Sequence, residues 1–338
     1  MKICQQIGQA KGRMLALEAK KKEIIGKTAD KKDGPKQVYR PAREKLVFDK
    51  VSRINGGLPG PLTDIAVKAI YREVMSCSIN LQQPTTIGYL GPTASSSHTA
   101  AVSRFGASMG YKPIESTAEI LEQIKRGDIS YGVVPFGNSH AGMESNTLDE
   151  LAGTAMKVYA EIEIPTKYLL LSSSKSSTNT NDWHKAIKTV YGSQLLLKEC
   201  RTWLQVNLPQ ANHVTTHSTE SAYTRAKKEG PTTAAVGTQL AADVCGLSVL
   251  SEGIENRVST SRFFVISQVC EPPSGEDKTF VMFSLRDAQG ALFVALKALK
   301  EEGINLTNIE SRPSGSKAWD YNFFVRMDGH EQDKNIRA

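Results

Sequence analysis

Cysteine is scarce in this 338-residue chain and follows no ligand pattern. The chain has five cysteines, an odd number, and no two of them are spaced as C-x-x-C. A disulfide framework and a zinc site both need paired or clustered cysteines, so the sequence supports neither. Scattered thiols are typical of a reducing compartment, and we therefore expect a cytoplasmic protein. The cysteines are Cys4, Cys77, Cys200, Cys245 and Cys270.

Long apolar runs are absent as well. No uncharged apolar stretch approaches the roughly 18 residues that a membrane-spanning helix needs, so no membrane association is expected. The first residues are charged throughout and lack the compact apolar region of a signal peptide. Hydrophobic residues make up 40% of the chain and charged residues 23%, which is typical of a protein with a buried core. The length predicts about two to three domains.

Excess positive charge is confined to one end of the chain. The formal net charge is +7, but residues 1–50 hold 14 Lys and Arg against 6 Asp and Glu, whereas the remaining residues hold 28 against 29. Nucleic-acid-binding domains carry a continuous basic surface, so nucleic acid is not an expected partner. The basic N-terminal part is either a solvated helix face or part of a site for anions.

Several common catalytic and cofactor motifs are missing. The chain contains neither G-x-G-x-x-G nor G-x-x-x-x-G-K-[ST], so a bound nucleotide is not indicated. It also lacks G-x-S-x-G, the turn that carries the nucleophile of α/β-hydrolases. His213 and His217 share a ligand-like spacing, but no third ligand stands near them in sequence. We therefore expect no metal ion and no cofactor.

Hydrophobic patterning divides the chain into three segments. Residues 1–84 repeat apolar side chains every three or four positions, which predicts helices. Residues 85–270 alternate short apolar runs with helical stretches, which predicts an α/β domain with largely parallel strands. After a linker with two prolines, residues 278–338 predict a strand, a helix and two further strands. The expected protein is multidomain, with an all-α, an α/β and an α+β part.

Hydroxyl and amide side chains cluster where predicted strands end and helices begin. Such turns direct free backbone N–H groups at a ligand and favour anions. Singly, each turn is explained by helix capping, for which serine is well suited. Five such turns in one α/β domain instead predict a cleft for a small polyanion. They include Thr93 with residues 95–97, Asn138 with Ser139, Ser193, Ser218, and residues 259–261.

Several of these residues form motifs that resemble a known family. The second segment resembles prephenate dehydratase in residues 88–92, 97–98, 134–135, 138–139, 147–149 and 261–263. The resemblance implies a two-lobed α/β domain like the type II periplasmic binding proteins. The third segment is similar to an ACT regulatory domain with a ferredoxin-like α+β fold. The first is similar to an all-helical chorismate mutase fused in front of the dehydratase.

The resemblance implies a substrate, prephenate, with two carboxylates and a ring hydroxyl. Dehydratases of this family expel the hydroxyl and CO2 together, which forms phenylpyruvate for phenylalanine biosynthesis without a cofactor. The family's T-R-F motif places a hydroxyl near the leaving group, and Ser261 stands there; Arg262 pairs with a carboxylate or braces the motif. The implied catalytic residues are Ser261, Arg262, Asn138, Ser139 and Thr147, and the implied substrate-binding residues are Ser95, Ser97 and Thr260.

The chain departs from the family pattern at several positions. Ser261 replaces the usual Thr, and Gly137 stands where the motif P-I-E-N-S has Glu. Residues 94–96 replace G-T-F, and residues 192–194 depart from the usual S-H-P-Q. Two other functions therefore stay open: arogenate dehydratase, whose substrate has an amine for the keto group, and a catalytically silent phenylalanine-binding protein.

The helical segment matches a mutase only in part. Lys11, Arg43, Glu44, Ser78 and Gln82 match motif positions, whereas Arg40 stands where many members have Asp. The family's first helix begins before the position matching Met1, and that part carries two arginines. Because this rearrangement needs cations around a dianion, we expect little or no mutase activity. The segment is then a helical dimerisation arm.

The third segment carries two phenylalanine-binding motifs of ACT domains. The resemblance implies L-phenylalanine as an allosteric effector, bound where two such domains pair in a homodimer or larger homo-oligomer. The chain ends before the last helix and strand of that fold, so an exposed apolar patch is expected. The effector residues are Gly290, Ala291, Leu292, Asn305, Leu306, Glu310, Ser311, Arg312 and Pro313.

Overall fold

The structure is a computed structural model that describes residues 13, 16, 17, 20, 41–57, 60–139, 142–173, 183–285, 288–314 and 320–337. The helices are α1 (Pro41–Gly56), α2 (Asp64–Gln82), α3 (Ser96–Phe105), α4 (Thr117–Arg126), α5 (Ser145–Ala152), α6 (Trp183–Ala186), α7 (Gln194–Glu199), α8 (Arg201–Asn207), α9 (Thr219–Glu229), α10 (Gln239–Cys245), α11 (Ala291–Glu301) and α12 (Lys334–Arg337). Within the residues described, no helix combines the length and the apolar character needed to cross a membrane.

Fourteen strands build three sheets in the part of the chain that the structure describes. The strands are β1 (Thr86–Leu90), β2 (Gly110–Ile114), β3 (Tyr131–Asn138), β4 (Gly142–Met143), β5 (Lys157–Thr166), β6 (Leu169–Ser172), β7 (Thr189–Gly192), β8 (Asn212–Thr215), β9 (Thr233–Gly237), β10 (Ser248–Glu252), β11 (Ser259–Ser267), β12 (Lys278–Leu285), β13 (Leu306–Pro313) and β14 (Tyr321–Asp328).

The helices α1 and α2, the first two whose bounds lie within the described residues, pack against the α/β part. The Thr63 hydroxyl caps α2 by accepting the N–H of Ala66 at 3.2 Å. The Asn80 amide on α2 donates to the carbonyl of Ser108 at 2.9 Å, just after α3. Several large apolar side chains of this helical pair nevertheless stay exposed, namely Leu46, Ile54, Ile65, Ile70 and Leu81.

The first lobe of the α/β part is a sheet in the order β2-β1-β3-β11-β5, with the short β4 paired to β3. β1 pairs in parallel with β2 and β3, whereas β11 runs antiparallel to both β3 and β5. Both faces of the sheet are buried, because α3 covers one and α4 with α5 covers the other. Helices on both faces explain the near-continuous apolar runs of these strands.

The second lobe is a five-stranded sheet in the order β10-β6-β9-β7-β8. β7 pairs in parallel with β8 and β9, and β6 runs antiparallel to β9 and β10. The prediction of largely parallel strands is confirmed for strand direction, since β1, β2, β3 and β5 run one way in the first sheet and β7, β8, β9 and β10 in the second, with β11 and β6 running against them. The antiparallel strands arise because the chain crosses between lobes twice, from β5 to β6 and from β10 to β11.

These two crossings decide how the lobes face each other. β5 ends at Thr166 and β6 begins at Leu169, and the return segment joins Glu252 to Ser259. In both sheets the carboxyl ends of the parallel strands lie at the edge from which the crossing segments start. In the second sheet this follows from Leu169, the first residue of β6, which pairs with Gly237, the last residue of β9. We call these two facing sheet edges the interlobe edges. A cleft between carboxyl-terminal edges is where ligands of α/β sheets bind.

A third sheet packs on the first lobe. Its order is β12-β14-β13, all antiparallel, with α11 connecting β12 to β13. Phe280 of β12 lies with its ring centroid 5.6 Å from Phe136 and 5.1 Å from Phe264 in the first lobe. Phe324 of β14 joins the same core and is 1% exposed. Phe293 and Val294 of α11 are 69% and 65% exposed.

Candidate active site

Ser261 lies at the interlobe edge of the first lobe. β3 ends there at Asn138 and β5 ends there at Thr166, while β11 begins there at Ser259. In the register of the sheet, Ser261 pairs with Asn138 on one side and with Ile164 on the other. Three strand ends from distant parts of the sequence therefore meet around one serine.

Two side chains hold the Ser261 hydroxyl. Asn138 Nδ2 lies 3.2 Å from Ser261 Oγ and donates to it, and Thr166 Oγ1 lies 3.0 Å from the same atom. A serine hydroxyl has two acceptor positions and one proton to donate. When Thr166 also donates, both acceptor positions are filled and the Ser261 O–H remains available for a ligand in the cleft.

Ser139 joins the end of β3 to the start of β11. Its N–H donates to the carbonyl of Thr260 at 3.0 Å, and its hydroxyl accepts the N–H of Thr260 at 3.1 Å. These bonds fix the edge position of both segments. Ser139 and Thr260 therefore both lie close to Ser261. The two hydrogen bonds that join Ser139 to Thr260 use backbone atoms of Thr260.

The turn after β1 leads into α3 at the interlobe edge of the first lobe. The Ser95 hydroxyl accepts the N–H of His98 at 3.3 Å, which makes Ser95 the cap of α3. His98 Nδ1 accepts the N–H of Ala94 at 3.0 Å, and its ring stacks on Tyr89 with centroids 4.3 Å apart. Ser97 is buried in the first turn of the helix. The turn is thus held by hydrogen bonds that need a neutral imidazole.

Thr147 is the third residue of α5, the helix that packs on β3. Its hydroxyl donates to the carbonyl of Pro135 at 2.7 Å, and the residue is 1% exposed. α5 begins at Ser145 with Glu144 as the flanking residue and has no side-chain cap. Thr147 therefore anchors α5 to β3 close to Asn138.

Arg262 points to the face of the sheet opposite to Ser261. Neighbouring residues of a strand project to opposite faces, and Phe263 packs with the α3-side core while Phe264 packs with the core on the other side. Arg262 Nε lies 2.7 Å from Glu163 Oε1 on β5. Of the two roles considered for Arg262, this position matches bracing of the motif and does not match contact with a ligand beside the Ser261 hydroxyl.

Gly137 stands where backbone comes too close for a side chain. A Cβ there would lie 2.7 Å from the carbonyl oxygen of Gly142 and 3.2 Å from Cα of Met143 on β4. β3 also bulges here, because Arg262 pairs with Gly137 and Phe263 with Pro135. At the position where the family has Glu, the close approach of β4 therefore leaves no room for a side chain.

We expect Gly137→Ala to destabilise this hairpin. Overpacking against backbone typically costs about 1–3 kcal/mol, so the melting temperature should fall by several degrees, measured by thermal unfolding. Gly153→Ala is the matched control, since a Cβ at Gly153 meets no atom within 4 Å. Equal melting temperatures for wild type and Gly137→Ala would contradict the close contact.

The second lobe presents helix caps to the cleft. Ser193, Ser218 and Thr238 cap α7, α9 and α10, each by accepting a backbone N–H in the first turn. The capping interpretation of Ser193 and Ser218 is thus confirmed. Thr238 Oγ1 also lies 3.5 Å from Thr99 Oγ1 of α3, and Ala94 packs into the core of the second lobe. These contacts close one side of the cleft.

Sequence reasoning missed Thr166 and Thr238. Both end or follow strands that contact the cleft, and Thr166 bonds the hydroxyl on which the site centres. β5 was not predicted as a strand, because its residues alternate charged and apolar side chains without an apolar run. That period-two alternation was the signal that could have found it.

The stability of the α3 turn should depend on pH. Burial lowers the pKa of His98 below the ordinary value of 6.5. The unfolded chain then binds the proton more readily, so this contribution to stability is present above pH 6.5 and is lost as the pH falls towards the folded-state pKa. We expect the midpoint of thermal unfolding to fall between pH 7.5 and 5.5, and His98→Asn, whose amide oxygen can still accept the Ala94 N–H, to reduce that fall. His184→Gln, at an exposed histidine, serves as the control; an unchanged pH slope in His98→Asn would contradict the assignment.

A separate cavity of about 660 Å³ lies away from Ser261. It is bounded by α1, by β5 and by the segment around residues 271–279, and Glu161, Glu163 and Arg326 line it. Glu163 and Glu161 project to the Arg262 face of the sheet. Among the residues described, no three His, Cys, Asp or Glu side chains are placed to hold a metal ion.

The mutase-like positions fall on the helical pair. Glu44 of α1 is 8% exposed and lies 3.4 Å from Arg104 Nη2 of α3. Ser78 of α2 is buried, Gln82 is half-buried and Arg43 is exposed. Lys11 lies outside the described residues.

The effector positions lie at two places in the third sheet. Gly290 takes φ +82° directly before α11, a conformation that glycine adopts without strain, and Ala291 and Leu292 follow in the first turn of the helix. Asn305 directly precedes β13 and Leu306 begins it, and Glu310, Ser311 and Pro313 follow along the strand. Arg312 Nη2 lies 2.6 Å from Asp149 Oδ2 of α5, so this motif arginine contacts the first lobe.

Comparison with known proteins gives consistent matches over most of the chain. A bifunctional chorismate mutase/prephenate dehydratase of Aquifex aeolicus is 36% identical over 326 residues, which cover 96% of this chain and 87% of that protein. A prephenate dehydratase of Mycobacteroides abscessus is 33% identical and covers 73% of this chain and 82% of that protein. The crystal structure of prephenate dehydratase from Arthrobacter aurescens in complex with L-Phe has a TM-score of 0.66 and 27% identity, and covers 75% of this chain and 83% of that one.

The helical segment matches a mutase family model. The model described as chorismate mutase type II matches residues 1–83. A mutase domain is therefore present, and the predicted truncation and loss of mutase activity have no support. The prediction treated two missing arginines as decisive, but the match extends over the whole helical segment.

The α/β part gives the broader assignment. The model described as prephenate dehydratase matches residues 87–271, which span β1 to the end of β11 and include Asn138, Thr166 and Ser261. This match covers more than half of the chain. The chain belongs to the prephenate dehydratase family.

Proposed function

We propose that the chain converts prephenate to phenylpyruvate, CO2 and water. The observation that carries the proposal is the Ser261 hydroxyl, which Asn138 and Thr166 hold at the interlobe edge. The ring carboxylate leaves as CO2, its electron pair completes the aromatic ring, and the ring hydroxyl departs. One proton is taken up to convert that hydroxide to water. Ser261 donates a hydrogen bond to the departing oxygen, and no cofactor is needed.

The substrate is a dianion, and the cleft offers donors suited to it. The caps Ser193 and Ser218 accept helix N–H groups, which leaves their hydroxyl protons to donate to a ligand. The interlobe crossings add two exposed cations, Lys167 and Arg257. We propose that these groups bind the two carboxylates when the lobes close on the substrate.

The test is turnover by the purified full chain. We expect phenylpyruvate from prephenate, followed by its absorbance, and a lower kcat/KM for arogenate, whose amine brings a positive charge. A higher kcat/KM for arogenate would assign the chain as an arogenate dehydratase. Binding of phenylalanine without turnover of either substrate would overturn the proposal in favour of a silent sensor.

We further propose that the dehydratase part has the two-lobed fold of type II periplasmic binding proteins. Two sheets joined by two crossings, with facing carboxyl-terminal edges, support it. By the same reasoning the domain limits are 1–84, 85–270 and 278–338. A cytoplasmic location fits the free thiols of Cys77, Cys200, Cys245 and Cys270.

We propose that residues 278–338 form an ACT domain that binds L-phenylalanine. The order β12-β14-β13 with α11 as the crossover equals the first four elements of a ferredoxin-like fold. The exposed Phe293 and Val294 follow directly after the motif residues 290–292. A second copy of the chain would cover them and bring the two effector motifs together. Light scattering should therefore give a dimer or larger oligomer, and Phe293→Asp should shift it towards monomer.

Chorismate mutase activity is the second candidate function. The match of residues 1–83 and the burial of Glu44 and Ser78 favour it. Loss of absorbance by chorismate, measured with the full chain, tests it. Equal rates with and without the protein would exclude it and leave the helical pair a role in association.

A further inference from the structure

Two glutamates on one face of β5 join two arginines from different parts of the chain. Glu163 Oε1 lies 2.7 Å from Arg262 Nε on β11, and Glu161 Oε1 lies 3.7 Å from the same nitrogen. Arg326 Nη2 on β14 lies 2.7 Å from Glu161 Oε2 and 3.9 Å from Glu163 Oε1. We call these four residues the ion cluster. It links the third sheet to the strand that carries Ser261.

Burial makes the Arg326 end of the cluster the strong one. The Arg326 side chain is 4% exposed and that of Glu161 is 18% exposed, whereas Arg262 and Glu163 are 38% and 47% exposed. A buried charge that loses its partner is left uncompensated, which destabilises the arrangement strongly. Arg326 is therefore held to Glu161, and β5 cannot shift relative to β14 without breaking this pair.

The cluster and the Ser261 hydroxyl are held by the same two strands. On one face of the sheet, Glu163 of β5 pairs with Arg262 of β11. On the other face, Thr166 of β5 bonds the hydroxyl of Ser261, the residue directly before Arg262. A displacement of β5 of a few tenths of an ångström would therefore change the Thr166–Ser261 distance.

The third sheet connects its motif strand β13 to Arg326, and so to β5. Arg326 lies on the central strand β14, whose neighbour β13 carries the motif residues 310–313. Arg326 pairs with Asn308 across the β13–β14 register, two residues before that motif. A ligand that shifts β13 would reach Arg326 through one strand pairing.

We propose that Arg326, acting through Glu161, is a positioning residue for Ser261 and couples the third sheet to the dehydratase site. The inference rests on the proposed function. It adds that occupancy of the third sheet reaches the site through the ion cluster, by changing where β5 and β11 hold the serine hydroxyl.

The experiment compares Arg326→Lys and Glu161→Gln with wild type. Arg326→Lys keeps the buried charge but loses the planar guanidinium. We expect kcat on prephenate to fall about tenfold in both variants, since a small misplacement of a catalytic group suffices for that, while KM changes less than about twofold. Inhibition by L-phenylalanine should weaken at least about tenfold, while direct calorimetric binding of L-phenylalanine stays as in wild type.

Glu331→Gln is the matched control. Glu331 also forms an ion pair between the C-terminal part and β5, because its carboxylate lies 3.8 Å from Lys157 Nζ. This ion pair lies at the end of β5 remote from Ser261. It should leave kcat and inhibition unchanged. If Arg326→Lys and Glu161→Gln lower only the melting temperature, with wild-type kcat and inhibition, the cluster is structural and the inference is overturned. A wild-type chain that turns over neither prephenate nor arogenate would overturn the proposed function and, with it, this inference. The two failures are therefore distinguishable, because the first shows in the wild type and the second only in the variants.

Discussion

Ser261→Ala should lower kcat for phenylpyruvate formation by about 10²–10³-fold, with KM changed by less than about threefold, because general-acid assistance is typically worth about 10²–10⁴-fold. The substitution removes the one hydroxyl that Asn138 and Thr166 both hold at the interlobe edge. Carboxylate binding depends on other groups, so affinity should survive. Initial rates with prephenate, measured across a range of concentrations, give both constants.

Two further variants separate chemistry from folding. Ser267→Ala changes the same residue type on the same strand, at the end remote from the cleft, and should keep wild-type rates. Ser261→Thr keeps the hydroxyl and introduces the family's residue, whose methyl restricts its rotamer, and it should match or exceed wild-type turnover. Wild-type kcat in Ser261→Ala would remove the serine from the mechanism.

The second large effect is on the attachment of the third sheet. Phe324→Ala should cost about 3–5 kcal/mol, the usual range for emptying a buried phenylalanine site. Phe324 is 1% exposed and lies in one core with Phe136 and Phe264 of the first lobe. The same loss should release the third sheet from the dehydratase lobe and abolish inhibition by phenylalanine. Denaturant unfolding and inhibition assays measure the two effects.

Val206→Ala is the control for this prediction. The Val206 side chain on α8 is 72% exposed, so the free energy of unfolding should change by no more than about 0.5 kcal/mol. If Phe324→Ala unfolds at wild-type denaturant concentrations, the aromatic core between lobe and third sheet does not hold them together.

Apolar runs in the sequence predicted many of the strands and their largely common direction, but not the reversal of β6 and β11. The runs at β1, β3, β6, β9 and β11 were identified because both faces of these strands are buried. The direction of β11 depends on the return crossing from the second lobe, which no local pattern records. β5 was not predicted as a strand, because Glu161 and Glu163 interrupt its apolar residues. Both glutamates lie on a face of the sheet that packs against charged groups.

The candidate site shows the same division. Ser261, Asn138 and Ser139 were singled out by motif, and the structure places them together. Arg262 has the bracing position that was one of the two roles considered for it, since consecutive strand residues project to opposite faces and its guanidinium pairs with Glu163. Thr166 could not be predicted, because its place beside Ser261 depends on a pairing between residues 95 positions apart.

The most direct test is a crystal structure of Ser261→Ala with prephenate bound. The account predicts the substrate between the lobes, with its ring hydroxyl within about 2.6–3.2 Å of the place where Ser261 Oγ stands in the wild type. Prephenate seated on the Arg262 face of the sheet, or in the cavity beside α1, would contradict it.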